Sequence, residues 1–264
     1  MLWIEVKSAA GEVLARAEGE KEARLVYREA YRQGDALFFQ AQGAHAHVCV
    51  DQAVKAAPVY LPHGAFAFPI PFGDAKNGYP PQAFLGEVHV ATLRAAEGFE
   101  LKARRNVALN PFDFPAASDC FPHAVANVET RGEAQFFARN AIDGWRASER
   151  HGGWPYHSWG IGGRADAWIR VDFGRPVRVD EVRVTLRADF PHDAWWERAT
   201  LCLSDGFSTE LSLVKTGQPQ AFSIGEHITH WALLKDLIKA DDPSPFPALT
   251  QLEVFGAEVF GAEA

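Results

Sequence analysis

Two short segments of this chain concentrate side chains suited to gripping a hydroxyl-rich ligand. Residues 150–164, RHGGWPYHSWGIGGR, hold His151, Trp154, Tyr156, His157, Trp159 and Arg164 among five glycines. That glycine density is poor in a regular strand, so the segment reads as a loop displaying aromatic faces and imidazoles. Residues 188–197, ADFPHDAWWE, offer Asp189, His192 and Asp193 as hydrogen-bonding groups and Phe190, Trp195 and Trp196 as apolar surface. Neighbouring residues of an extended chain point to opposite faces, so one of Trp195 and Trp196 packs inward and the other faces out. An aromatic platform with a few fixed donors and acceptors is the chemistry of sugar binding. Arg164 and Arg187 would add bidentate contacts to an acidic sugar. The plainer alternative is that the tryptophans wedge a glycine-rich loop onto the body of the fold.

The same side chains bear on catalysis. His151 and His157 are six residues apart, and His192 adjoins Asp193, a pairing that can orient a general base. His227 and His230 are three apart without a metal-ligand pattern around them. The sequence has no HExxH, nucleophile elbow or phosphate loop. The leading expectation is therefore non-catalytic carbohydrate binding, with no catalytic residue assigned. A carbohydrate-active enzyme, a glycoside hydrolase or polysaccharide lyase working in the same cleft, is the second reading. A protein-interaction module using exposed tryptophans is the third.

Composition narrows the classes. The chain has 264 residues, 47% hydrophobic and 23% charged, with a net charge of -8. That length allows one large or two ordinary domains and a real core. The acidic balance and the lack of a basic stripe argue against nucleic acid, and they give no help toward anionic lipid. No apolar run approaches the ~20 residues that span a bilayer. The start lacks the look of a signal peptide, so the expected location is cytoplasmic, or secreted if a leader preceded it. Cys49, Cys120 and Cys202 are isolated and read as free thiols. Seven of the eight tryptophans lie from Trp145 to Trp231, which sets the second part of the chain apart from the first.

Both parts read as strands. Expected strands cover 2–7, 24–30, 36–40, 47–50, 58–61, 65–70 and 87–93, punctuated by prolines and glycines. From about residue 104 the alternation sharpens. Ile169, Val171 and Phe173 share one face, as do Val182, Val184 and Leu186, and then the pairs Leu201 with Leu203 and Leu211 with Leu213. Half-buried strands with polar outer positions suit an antiparallel sandwich. Residues 231–240 carry the best helical spacing. Trp168 and Trp231 read as core. The pentapeptide EVFGA occurs at 253–257 and again at 258–262, the second copy reading as a terminal extension. The expectation is an all-β protein of two β-sandwich domains, 1–103 and 104–264. The apolar run 65–73 leaves room for a homo-oligomer contact.

Six pieces of the second part, in order, carry a family likeness. Asn106-Val107-Ala108-Leu109-Asn110 resembles the opening strand of the discoidin, or coagulation factor V/VIII type C, domains. Asn140-Ala141-Ile142-Asp143-Gly144 resembles their NAVDG turn. The run 168–176, WIRVDFGRP, resembles WIQVDLGKP, and 179–186 is similar to the strand after it. Leu203-Ser204-Asp205-Gly206 resembles VSDDG, and the run 251–256, QLEVFG, resembles the closing EIEVYG. The resemblance implies an eight-stranded jelly roll of the galactose-binding-like class, which includes the family 32 carbohydrate-binding modules. It implies a ligand site on loops at one end of the sandwich, where 150–164 and 188–197 would meet. It also implies a structural calcium ion near the NAVDG turn and the closing strand, at the positions of Asp143 and Glu253. Residues 111–139 are longer than the usual link, and Trp145 stands where a small polar residue is usual. Residues 1–103 carry no such likeness. A fold of this kind hosts many tasks, so the site must decide the function.

Overall fold

The computed structural model describes residues 1–187 and 194–260. Its elements are almost all strands: β1 (Leu2–Lys7), β2 (Val13–Gly19), β3 (Glu22–Tyr27), β4 (Ala36–Gln40), β5 (His45–Cys49), β6 (Ala57–Tyr60), β7 (Ala65–Pro69) and β8 (His89–Ala95), then a single helical turn, α1 (Gly98–Lys102). After it come β9 (Arg105–Asn106), β10 (His123–Ala126), β11 (Trp159–Gly160), β12 (Ile169–Leu186), β13 (Trp196–Leu203), β14 (Ser208–Ser212), β15 (Gln220–Lys239) and β16 (Ala248–Glu258).

The first eight strands form two four-stranded antiparallel sheets, ordered β2-β1-β4-β7 and β3-β8-β5-β6. Period-two alternation makes each sheet one-sided. Ile4, Val6, Leu37, Phe39 and Phe68 from one sheet, and Ala23, Leu25, Val48, Val59 and Leu93 from the other, are buried in one apolar cluster. The chain returns to this cluster after β9: Phe112 and Cys120 are buried in it, with Leu109 and Phe114 packed against it.

The later strands surround a second cluster. The path runs β11-β16-β12-β15-β13-β14, with β10 on β12 and β9 on β16. Two long strands organise it. Ile169 to Asp172 of β12 pair with β10 and with the last part of β15, whereas Val177 to Leu186 pair with β16 and the first part of β15. The change occurs at a register break between Asp172 and Val177. Gly174 sits there at φ +69°, with the Phe121 ring so near that a Cβ would come within 2.5 Å of it. Only glycine meets both demands. Ile169, Val171, Phe173, Val177, Val179, Val182, Val184 and Leu186 are all fully buried, each contributing about 1.5–3 kcal/mol by leaving water.

Several expectations are corrected. Residues 231–239 are strand, not helix. Asp236, at φ +48°, puts an irregularity between the buried Leu234 and Leu237, and that bulge imitates helical spacing. Trp168 and Trp231 are half-buried rather than core. Strand β2 went unexpected because no residue of it is fully buried: only the small Ala15 and Ala17 pack on the cluster, while Val13 and Leu14 are exposed. The second EVFGA copy is not wholly an extension, for its first residue, Glu258, is buried. The Glu258 carboxylate accepts hydrogen bonds from Arg175 Nε (2.8 Å) and Nη2 (2.6 Å) and pairs with Arg105. The Arg175 guanidinium in turn lies 5.3 Å from the Tyr60 ring, and Tyr60 exchanges backbone hydrogen bonds with Phe121 (2.8 and 2.9 Å). The cysteines are free, Cys120 buried and Cys49 and Cys202 half-buried. Among the described residues no helix is long and apolar enough to cross a membrane.

Burial opposes the Glu258 charge, and the Arg175 and Arg105 guanidiniums overcome it, holding the carboxyl below its ordinary range. Removing one partner of a buried ion pair strands the other. We therefore expect Glu258→Ala to cost about 3–5 kcal/mol of stability in urea unfolding, and Glu258→Gln to cost less than Glu258→Ala.

Candidate site at the β12 and β16 ends

A recess of about 220 Å³ opens where β12 ends and β16 begins. Its walls are Thr130, Arg131 and Phe136 from the 3-10 turns of the long link, His151, Gly160, Ile161 and Gly162 from the 150–164 segment, Arg187, and Phe246 with Pro247 ahead of β16. Gly160 is what lets the turn approach: a Cβ there would lie 2.7 Å from Thr130 Oγ1 and 3.0 Å from the Phe136 ring.

Arg187 is buried, its backbone N–H donating to Ala248 O (3.0 Å) and its Nη2 to Phe246 O (3.0 Å). His151 is exposed at the rim. The Arg131 guanidinium is held by Glu133 (2.6 and 2.8 Å) and lies 5.5 Å from the Phe136 ring. Phe246 is 52% exposed. The recess thus combines aromatic faces with a hydroxyl, an imidazole and two guanidiniums. No carboxylate lines it among the described residues.

Other expected ligand groups lie elsewhere. His157 is buried and its Nε2 hydrogen-bonds Asp143 Oδ2. Trp159 belongs to β11, which pairs with β16; its indole is fully buried and donates to Val128 O (2.8 Å). Trp196 begins β13 and packs on Trp159, centroids 6.3 Å apart. These three are structural, because short stretches of strand and the Asp143 carboxylate fix them inside. Trp195 is half-buried against the second core. Arg164 is exposed and spent on Asp166 and Asn127 O. Trp154 stands at the seam with the first sheets: its backbone N–H donates to Asn77 O (2.8 Å), and its ring meets Trp145 edge-on at 4.8 Å. Lys55 Nζ covers the other ring, 4.3 Å from its centroid. Asp189, His192 and Asp193 lie outside the described residues. The described chain stops at Arg187 and resumes at Ala194.

Sequence reasoning missed Thr130, Arg131, Phe136 and Phe246. The signal for the first three was the surplus length of 111–139; Phe246 stands among prolines in a polar connection.

The residues expected to hold calcium do not fit it as arranged. Asp143 Oδ1 accepts from Trp145 N–H (2.9 Å) and Gln251 Nε2 (2.9 Å), and its other oxygen from His157. Glu253 Oε1 accepts from Arg146 (2.6 Å). Nitrogen donors take three of these four carboxylate oxygens, leaving only the buried Glu253 Oε2 without a hydrogen bond, whereas calcium takes six to eight oxygens. Among the described residues no three His, Cys, Asp or Glu side chains form a metal-sized group.

The link that supplies the recess has its own anchor. His123 Nδ1 hydrogen-bonds Asp113 Oδ1 (2.7 Å), and Asp113 Oδ2 accepts from Ala124 N–H (2.9 Å). Burial works to lower the His123 pKa, but the Asp113 hydrogen bond and charge outweigh it, and the imidazole titrates above its ordinary value.

No protein-family model and no curated protein sequence matches this chain. Solved structures do resemble it. A chitosan-binding module 2 in complex with chitotriose, from a Paenibacillus sp. IK-5 chitosanase/glucanase, shares 16% identity, covering 57% of this chain and 100% of that one, at a TM-score of 0.40. The family 32 module of C. perfringens NanJ, in complex with galactose, shares 17%, covering 50% and 91%, at 0.38. The lectin domain of lectinolysin, complexed with Lewis B antigen, shares 14%, covering 58% and 97%, at 0.42. Each of these likenesses covers between 50% and 58% of this chain.

Two outcomes follow. Asp143→Ala, which strips three donors of their acceptor, should cost about 3 kcal/mol or more, while calcium against a chelator leaves the wild-type melting midpoint unchanged, since only a native-state ligand raises it. For His123, a raised folded pKa means stability that is present below the unfolded value of about 6.5 and lost as pH rises through the folded one. The stability gap between wild type and His123→Gln should therefore be wider near pH 5.5 than near pH 8.5, read by urea unfolding at each.

Proposed function

We propose that this protein binds carbohydrate non-catalytically in the recess at the β12 and β16 ends. The observation that supports it is the meeting, around about 220 Å³, of the Phe136 and Phe246 rings with Thr130, Arg131, His151 and Arg187. Sugar rings present C–H faces to aromatic rings and hydroxyls to fixed polar groups. The volume falls below the ≈ 300–1,000 Å³ of sites for drug-sized ligands, so one ring enters and the rest of a glycan extends from the mouth. The Arg187 and Arg131 guanidiniums supply N–H donors for sugar hydroxyls. Asp189, His192 and Asp193, in the segment that follows Arg187, and Trp195 just beyond it, are proposed to complete the site. The division into domains 1–103 and 104–264 belongs to the same proposal, with the second domain as the binding one.

A glycan array followed by calorimetry on the hits tests this. His151→Ala and Phe246→Ala, both exposed positions, should each weaken binding by about tenfold, the scale of losing a polar contact or a stacking face. Absence of any glycan ligand for the wild-type protein would remove the proposal. Release of new reducing ends from a bound oligosaccharide would replace it with an enzymatic one.

A further inference from the structure

A second cavity, of about 400 Å³, lies where the first sheets meet the long link. The Phe72, Tyr79, Phe114 and Phe137 rings line it, with prolines from the end of β7 and the stretch after Phe114. One charged group belongs to this apolar lining, Arg139, which is only 3% exposed. Its Nη1 donates to Gly78 O (2.7 Å) and Asn140 Oδ1 (3.1 Å), and its Nη2 to Pro111 O (2.6 Å). The guanidinium lies over the Tyr79 ring at 4.3 Å. Its Nε is buried with no acceptor.

Every partner of that guanidinium is neutral. No carboxylate pairs with it among the described residues. Asp113 and Asp143, whose charges also reach Tyr79, are committed to His123 and His157. A buried, permanently charged group with one idle donor and no counter-ion is costly unless something supplies the missing charge.

We infer that this cavity is a binding site for a small organic carboxylate with an aromatic or branched apolar body. The carboxylate meets the Arg139 guanidinium, Nε included, and the body fills the space between the rings. Charge complementarity inside an apolar wall selects such a ligand over a neutral or cationic one of the same shape. It also selects against a free sugar, whose hydroxyls would find few partners on that wall.

The test titrates the full chain by calorimetry with phenylacetate, 3-phenylpropionate and isovalerate, and with phenethyl alcohol and benzylamine as uncharged and cationic controls. At least one carboxylate should bind, at least about tenfold more tightly than either control. Ala75 and Ala116 are exposed on two rims of the cavity. Ala75→Trp and Ala116→Trp should abolish carboxylate binding while glycan binding at the other recess persists. Arg139→Gln, checked for folding by circular dichroism, should erase the preference for the carboxylate. The inference is overturned if none of the three carboxylates binds, if the alcohol binds equally well, or if both tryptophan variants leave binding intact.

Discussion

The recess between the glycine-rich segment and the start of β16 depends on one buried carboxylate. Asp143 sits at the end of the 3-10 turn Ala138–Ile142, and its oxygens gather His157 from the glycine-rich segment, Gln251 from β16 and the Trp145 N–H from the chain just after it. Gln251 extends the network, accepting from Gly144 N–H (2.8 Å) and donating to Asn140 O (2.7 Å). A glycine-rich stretch has more backbone entropy to lose on ordering than any other. The Asp143 hydrogen bonds offset part of that loss at one point and fix the root of the segment. From that root Trp159 enters β11, and Gly160 and Gly162 reach the recess on one side while His151 reaches it on the other.

The seam between the two apolar clusters is tied by polar groups rather than by apolar contact alone. Arg175 and Glu258 lie beside Tyr60 at one place, and Lys55 donates to Gly144 O (3.1 Å) beneath Trp145 at another. Arg139 reaches from the second group of elements to Gly78 and Pro111. Partly satisfied buried ions add little net stability but penalise every alternative docking that separates them. Such a seam fixes one relative arrangement, and the cavity beside Arg139 exists only in that arrangement.

How much of this was legible in the sequence follows from what the sequence pattern encodes. Period-two alternation records which side of a strand faces water, so Ile169, Val171 and Phe173, or Leu201 and Leu203, could be placed at once. It fails where burial is incomplete, as in β2, and where a bulge shifts the phase, as at Asp236. The candidate site was legible only as a composition. Aromatic and imidazole side chains mark a loop equally well whether they are spent inward or outward. His157, Trp159 and Trp196 went inward because distant partners, Asp143, β16 and β15 respectively, claimed them, and no local pattern reports a distant partner. Phe246 and Thr130 were silent for the converse reason: each is a lone residue in an unremarkable stretch until the fold brings them together.

The two polar anchors of the recess are held in different ways, and that difference bears on how it would select a ligand. Arg187 follows a fully buried strand end; its backbone N–H bonds the first residue of β16, and its guanidinium bonds Phe246 O just ahead of that strand. Its geometry is paid for by the fold, so a ligand meeting it loses little further entropy. His151 stands at the exposed rim, and Gly152 and Gly153 directly after it leave the backbone there less constrained than at a strand end. A group set rigidly discriminates sharply by shape and charge, whereas an adaptable one tolerates variation at a modest entropic cost. Specificity should therefore reside in whatever part of a ligand faces Arg187, and tolerance in the part that extends from the open mouth.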